Sequence, residues 1–213
     1  MIKLDNVSKQ LKKIDILKNI TYTFEEGHIY GLYGCNGSGK TMLLRAISGL
    51  LIPDSGAINI DNKTLHKDIS FPPSIGIIIE NMELLPQYNA FDNLKILSKI
   101  KNISTDQDII DALNKVGLDP YSKLKVRKYS LGMKQRLNIA QAIFEKPDII
   151  LLDEPTNALD EESVNRIYKL LFEERDRGAN IIIASHSKED LKHLCDVTLR
   201  VVDGRLEESL TII

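Results

Sequence analysis

The stretch Gly34-Cys35-Asn36-Gly37-Ser38-Gly39-Lys40-Thr41 constrains this chain more than any other. It joins an apolar strand, His28 to Tyr33, to a helix entered at Gly39-Lys40-Thr41 and continued by Met42 to Ile47. Strand, glycine loop and helix in that order let backbone N–H groups close around phosphate oxygens, with the dipole of the helix N-terminus behind them. Lys40 is expected to neutralise the outer phosphates of a nucleotide, Thr41 to hold Mg²⁺, and Gly34 through Met42 to make the remaining contacts. A chain built on this loop is an α/β protein.

Composition narrows the class further. The 213 residues are 43% hydrophobic and 27% charged with net charge −2, which supports a folded core and gives no field for a nucleic-acid partner. Two cysteines, Cys35 and Cys195, fit a reducing compartment better than a disulfide framework, so the expected location is cytoplasmic. No stretch approaches the roughly 18 to 20 apolar residues that cross a bilayer. Met1 to Asp5 lacks the apolar segment of a secretion signal.

Strands are expected at Ile2 to Val7, Ile16 to Phe24, Ala57 to Ile60 and Ile75 to Ile79, with a turn at Pro53-Asp54-Ser55-Gly56. From Pro86 to Lys146 the pattern is helical. Asn89 caps Ala90 to Ile100, Thr105 or Asp106 opens the next helix with Gly117 past its end, and Ser130 begins a longer one that stops before Pro147. Apolar strands return at Ile149 to Leu152 and Ile181 to Ala184 around a helix at Glu161 to Arg177, a βαβ order that implies parallel central strands. The hairpin Val197 to Val202 and Arg205 to Leu210 closes on Asp203-Gly204.

Asp153 and Glu154 end an apolar strand, at the carboxyl edge where parallel sheets bind ligands. Asp153 is assigned to Mg²⁺, through water, and Glu154 to polarising an attacking water. His186, in Ser185-His186-Ser187 after the next strand, is a candidate phosphate contact only in company with these groups.

The ordered set, completed by Tyr129-Ser130-Leu131-Gly132-Met133-Lys134-Gln135-Arg136, resembles the nucleotide-binding subunit of ABC transporters over essentially the whole chain. The resemblance implies a P-loop NTPase core with a mainly parallel central sheet, an N-terminal antiparallel β subdomain and an inserted α-helical subdomain. Residues 1–85 and 147–213 would form the core, and residues 86–146 the helical part. It implies ATP and Mg²⁺ as ligands and a homodimer, or pseudo-symmetric heterodimer, of ATPase subunits. In that dimer Ser130 and Gly132 of one chain face the ATP on the P-loop of the other, and Asp160 in Asn157-Ala158-Leu159-Asp160 links the two sites. A separate transmembrane permease would hold the subunit at the inner face of the membrane.

Three departures from the family pattern carry information. Glu80, after the strand at Ile75 to Ile79, stands where the family has a glutamine that touches Mg²⁺ and water. The alternative, Gln87, follows Pro86 well past the strand end. Glu80 is therefore placed at the nucleotide and metal, where a carboxylate binds Mg²⁺ more strongly than an amide or repels phosphate in its absence. Leu11 occupies the place of the adenine-stacking aromatic, and no aromatic occurs from Met1 to Ile20, which predicts weak discrimination between ATP and GTP. Leu131 and Met133 replace a glycine and a glutamine. With Glu80 and the short chain, they resemble the bacitracin-resistance and lantibiotic-immunity branch, which implies export of antimicrobial peptides.

Cys35 is read as a small residue tolerated in the loop, and Lys123 to Arg127 as a solvated basic face. A soluble relative acting on DNA or ribosomes is the rival reading. The DNA-repair heads carry a long coiled-coil insertion, whereas Lys40 to Ser130 spans about 90 residues here, and the translation proteins usually carry two such domains in one chain.

Overall fold

The computed structural model describes residues 1–80 and 83–208. From the N-terminus the chain forms β1 (Ile2–Leu11), β2 (Ile14–Phe24), β3 (Ile29–Tyr33), α1 (Lys40–Ile47), β4 (Ser55–Ile60), β5 (Lys63–Thr64) and β6 (Ile75–Ile78). Three helices follow, α2 (Ala90–Lys101), α3 (Asp106–Lys115) and α4 (Leu131–Ile143), with a 3₁₀ turn at Val126–Lys128 before the last. The chain continues through β7 (Ile149–Asp153), α5 (Glu161–Asp176), β8 (Asn180–Ser185), α6 (Lys188–Leu194), β9 (Val197–Val202) and β10 (Arg205–Glu208).

Two sheets organise these elements. Strands β2-β1-β4-β5 form an antiparallel sheet, and β10-β9-β3-β8-β7-β6 form a second sheet that is parallel from β9 to β6. Strands β7 and β8 are apolar on both faces, as buried parallel strands must be. Ile149, Leu151, Ile182 and Ala184 pack with α1 and the antiparallel sheet, while Ile150, Leu152, Ile181 and Ile183 pack with the helices. Each such buried side chain contributes on the order of 2 kcal/mol. The central sheet is therefore the middle layer of three.

The expected elements are present, with differences that have local causes. The first hairpin spans Ile2 to Phe24, with register shifts between Leu4 and Gln10, and Lys12 and Lys13, at φ 48 and φ 66, make its two-residue turn. That geometry normally selects Asn or Gly, so the lysine pair carried no turn signal. The short strand β5 and helix α6 were not expected. Of the final hairpin, Leu210 lies outside the described residues, as does Asn81 beside Glu80.

Caps define the helices between β6 and β7. Asn89 accepts from Asp92 N and Ser130 from Met133 N, and Thr105 and Asp108 form a reciprocal capping box. Asp108 also accepts from Lys146 Nζ at 2.6 Å. That ammonium, with the Thr105 bonds, lowers its carboxyl to about 2.

Two predictions follow from this packing. A Cβ on Gly76, in β6, would lie 1.7 Å from Ala142 O in α4. Gly76→Ala should cost about 3 kcal/mol in urea unfolding, and a change below about 0.5 kcal/mol would contradict this packing. A carboxyl depressed in the folded state stabilises above its unfolded value and loses that effect as pH falls through the folded value. The urea midpoint of Asp108→Asn should therefore sit below that of the parent by a constant gap above about pH 5, and the gap should close between about pH 4 and pH 2.

Candidate nucleotide site

Parallel register places the chemistry. Tyr33 pairs with Ser185, and Asp153 with Ala184, so the segments leaving β3, β8 and β7 emerge at one edge of the sheet. The Gly34–Thr41 loop, His186 and Glu154 leave from there.

Lys40 is 6% exposed, and its ammonium donates to the carbonyls of Gly34 at 2.7 Å and Cys35 at 3.3 Å. Among the described residues no carboxylate pairs with it, so its charge is oriented by the loop without being neutralised. Gly39 caps α1 without a side-chain bond, which leaves the helix's first N–H groups to a ligand. Ser38 Oγ is buried without a partner in the same loop. An uncapped helix end, an unpaired ammonium and an orphaned hydroxyl suit a polyphosphate. A cavity of about 440 Å³ opens over Gly34 to Ser38 and is bounded by His186 and Arg200. It covers the His186 side of the loop, and Lys40, Thr41 and Asp153 lie outside its lining.

Thr41 Oγ1 donates to Asp153 Oδ2 at 2.6 Å, joining the phosphate helix to the acidic strand end. Burial raises the Asp153 carboxyl, helped by the charges of Glu154 and Glu80 and opposed by the Thr41 bond and the Lys40 charge. Glu154 stands at φ 51, a left-handed conformation that costs energy for a residue with a side chain. Its Oε1 accepts from His186 N and contacts His186 Nδ1, both at 2.9 Å, and its Oε2 accepts from Ser185 Oγ at 3.3 Å. The end of β8 thus aims the carboxylate of β7. Among the described residues no three His, Cys, Asp or Glu side chains converge on one point. A hard cation such as Mg²⁺ is held by one or two carboxylates and completes its shell from hydroxyl, phosphate and water oxygens.

Glu80, two residues past β6 and also left-handed at φ 59, accepts from Arg45 Nη1 of α1 at 3.0 Å. Leu11, at the end of β1, is 40% exposed. Cys35 is exposed in the loop, while Cys195 is buried and its thiol pushed up by that burial.

Ser130 and Leu131 are exposed at the start of α4, and neither lines the cavity over the chain's own phosphate loop. Gly132 sits so close to the segment after β7 that a Cβ there would lie 2.9 Å from Ala158 O. Asp160 caps α5 by accepting from Ser163 N, and the Ser163 hydroxyl together with that N–H lowers its carboxyl. Residue types alone missed several positions. Gln135 donates to Pro155 O at 3.0 Å and Glu154 O at 3.4 Å, tying α4 to the acidic strand end. Ser185 and Arg45 were missed too, because each acts on a residue remote in sequence. The backbone bonds from Val126 N to Tyr88 O and from Arg127 N to Pro86 O likewise have no side-chain signature.

The loop, the acidic strand end and the three-layer fold define a P-loop ATPase cassette. Comparison with known proteins identifies its family. A family profile described as ABC transporter matches residues 17–157. The ABC transporter ATP-binding protein YybJ of Bacillus subtilis (strain 168) is 62% identical over 213 residues, covering 100% of this chain and 98% of that protein. The lantibiotic transport ATP-binding protein SrtF of Streptococcus pyogenes is 34% identical, over 97% of this chain and 89% of SrtF. The bacitracin transport ATP-binding protein BcrA of Enterococcus faecalis is 32% identical, over 100% and 70%. Among solved structures, the dimeric post-hydrolysis state of the cassette MJ0796 bound to ADP and Pi superposes with a TM-score of 0.87 at 25% identity, covering 100% of this chain and 99% of that one. The chain belongs to the ABC transporter family, as a nucleotide-binding ATPase subunit of a transporter. Among the described residues no helix is long and apolar enough to cross a membrane.

Contact between Gly132 and Ala158 gives a direct test of how α4 sets the segment after Glu154. Gly132→Ala should lower steady-state ATP turnover about tenfold to a hundredfold while thermal unfolding stays cooperative. Unchanged turnover would show that this contact does not position the site.

Proposed function

We propose that this subunit powers an exporter of antimicrobial peptides by ATP-driven, head-to-tail dimerisation, with a separate membrane chain supplying the transport path at the inner face of the cell membrane. The observation that carries the dimer is Ser130, an exposed N-cap of α4 outside the cavity over its own phosphate loop. An N-cap hydroxyl beside free N–H groups is an anion contact, and here it is available to a second subunit. The peptide-export reading is supported by SrtF and BcrA, which are named for lantibiotic and bacitracin transport, and by the Glu80, Leu131 and Met133 pattern.

In this reading residues 1–85 and 147–213 form the core and residues 86–146 the helical lobe. Gly34 to Met42 bind the phosphates through backbone N–H groups, with Lys40 supplying the positive charge. Thr41, Asp153 and Glu80 would hold Mg²⁺, Asp153 through water, and the cation would neutralise phosphate charge. Glu154, steered by His186 and Ser185, accepts the proton of the attacking water. His186 borders the outer phosphate, a reading supported by its place in the lining of the cavity over the phosphate loop. Leu11 contacts the base, and Gly132 and Asp160 belong to the face that meets the partner subunit.

Glu154→Gln keeps the size of this side chain and removes its basicity. The purified variant should bind ATP without turnover and shift to a dimer in size-exclusion chromatography. A variant that stays monomeric at saturating ATP, even with its membrane partner, would end the sandwich reading. With Leu11 in place of an aromatic ring, the dissociation constants for ATP and GTP should differ by less than about a hundredfold. A larger preference would remove Leu11 from the base site.

A further inference from the structure

We infer that Arg45 is a positioning residue that holds the carboxylate of Glu80 away from the metal and nucleotide and releases it when they bind. The inference rests on the proposed place of Glu80 at that site. Register supports the geometry: Ile77 pairs with Leu151 and Ile78 with Leu152, so the chain leaving β6 runs beside the strand end that carries Asp153 and Glu154. A third carboxylate at an edge that already holds two is repelled by both and needs a counter-charge.

Arg45 supplies it. It lies on α1, the helix that begins with Lys40 and Thr41, about 7.5 Å further along the axis. Its carbonyl accepts from Ser48 Oγ at 3.0 Å and Leu51 N at 3.0 Å, which fixes the end of the helix that presents it. The guanidinium grips Glu80 through Nη1 alone, and Nε is buried without a partner. A guanidinium that binds a carboxylate fully uses two parallel donors, so this grip is incomplete and exchangeable. Glu80 meanwhile keeps a left-handed backbone, which persists only where surrounding contacts hold it. Both side chains are partly exposed, at 35% and 54%, so the pair adds little to stability and its effect is on position.

Two partners therefore compete for one carboxylate, Arg45 and the divalent cation. Removing Arg45 should make the cation the easier partner to gain. The test is the Mg²⁺ concentration that gives half-maximal binding of a non-hydrolysable ATP analogue to the purified full-length chain, measured by calorimetry in a double-mutant cycle. Arg45→Gln should lower that concentration about threefold to tenfold. In the Glu80→Gln background the same substitution should move it less than about twofold, because only the screened loss of charge remains. Arg45→Lys, which keeps the charge, should retain the parent requirement.

An equal shift in both backgrounds, or none in either, would overturn the role of Arg45. So would an Arg45→Lys variant that behaves as Arg45→Gln does. If Glu80→Gln by itself left the Mg²⁺ requirement unchanged, the placement of Glu80 at the metal would fall first. If Glu80→Gln moved the requirement while Arg45→Gln did not, only the inference about Arg45 would fail.

Discussion

Parallel pairing of β3, β8 and β7 is the constraint on which the rest of this structure depends. Because Tyr33 lies opposite Ser185, and Ala184 opposite Asp153, three segments distant in sequence leave the sheet at one edge. A slip of one residue in either pairing would turn every side chain of a strand to the other face and bury Asp153 or Glu154 in an apolar layer. Ile150, Leu151, Leu152, Ile181 and Ile182 are fully buried across the two faces of the sheet, and the close packing of these differently shaped side chains opposes that slip. Core packing on both faces of the sheet is thus what positions the chemistry.

From that edge, position passes outward through polar contacts. Gln135 of α4 holds the carbonyls of Glu154 and Pro155, and Gly132 presses on Ala158, which is left-handed at φ 64. Asp160 then anchors the start of α5. The segment from Glu154 to Asp160 is therefore clamped by α4 on one side and α5 on the other. On the proposed dimer reading, the residues that would meet the partner's nucleotide and those that would act on the chain's own share one rigid connection.

Legibility in the sequence followed the range of each interaction. Helix caps at Asn89, Thr105 and Ser130 are local, a side chain bonding a backbone three residues away, so Asn89 and Ser130 were readable from residue type and spacing, and the third was narrowed to Thr105 or Asp106. The phosphate loop and the acidic strand end were readable because their function requires fixed residue types in fixed order. Arg45 with Glu80 and Gln135 with Pro155 were not, since each pair forms only after β6 and β7 are laid side by side. The Lys12–Lys13 turn was missed for the opposite reason. There the pairing of the flanking strands overrides what the turn residues prefer.

Lys40, Asp153 and Glu154 at this edge share one further property: unlike Glu80, none forms an ion pair with a permanently charged side chain among the described residues. Lys40 rests on two neutral carbonyls, Asp153 on a hydroxyl, and Glu154 on a histidine and a serine. Such partners fix direction and yield to a full opposite charge, which adds Coulomb attraction to the hydrogen bond. Burial that raises the Asp153 carboxyl works in the same sense, since a desolvated carboxylate gains more from a cation than a solvated one does. Glu80 departs from this scheme. Its partner is already a full cation, so on the proposed reading its engagement of a metal would displace one charge before gaining another.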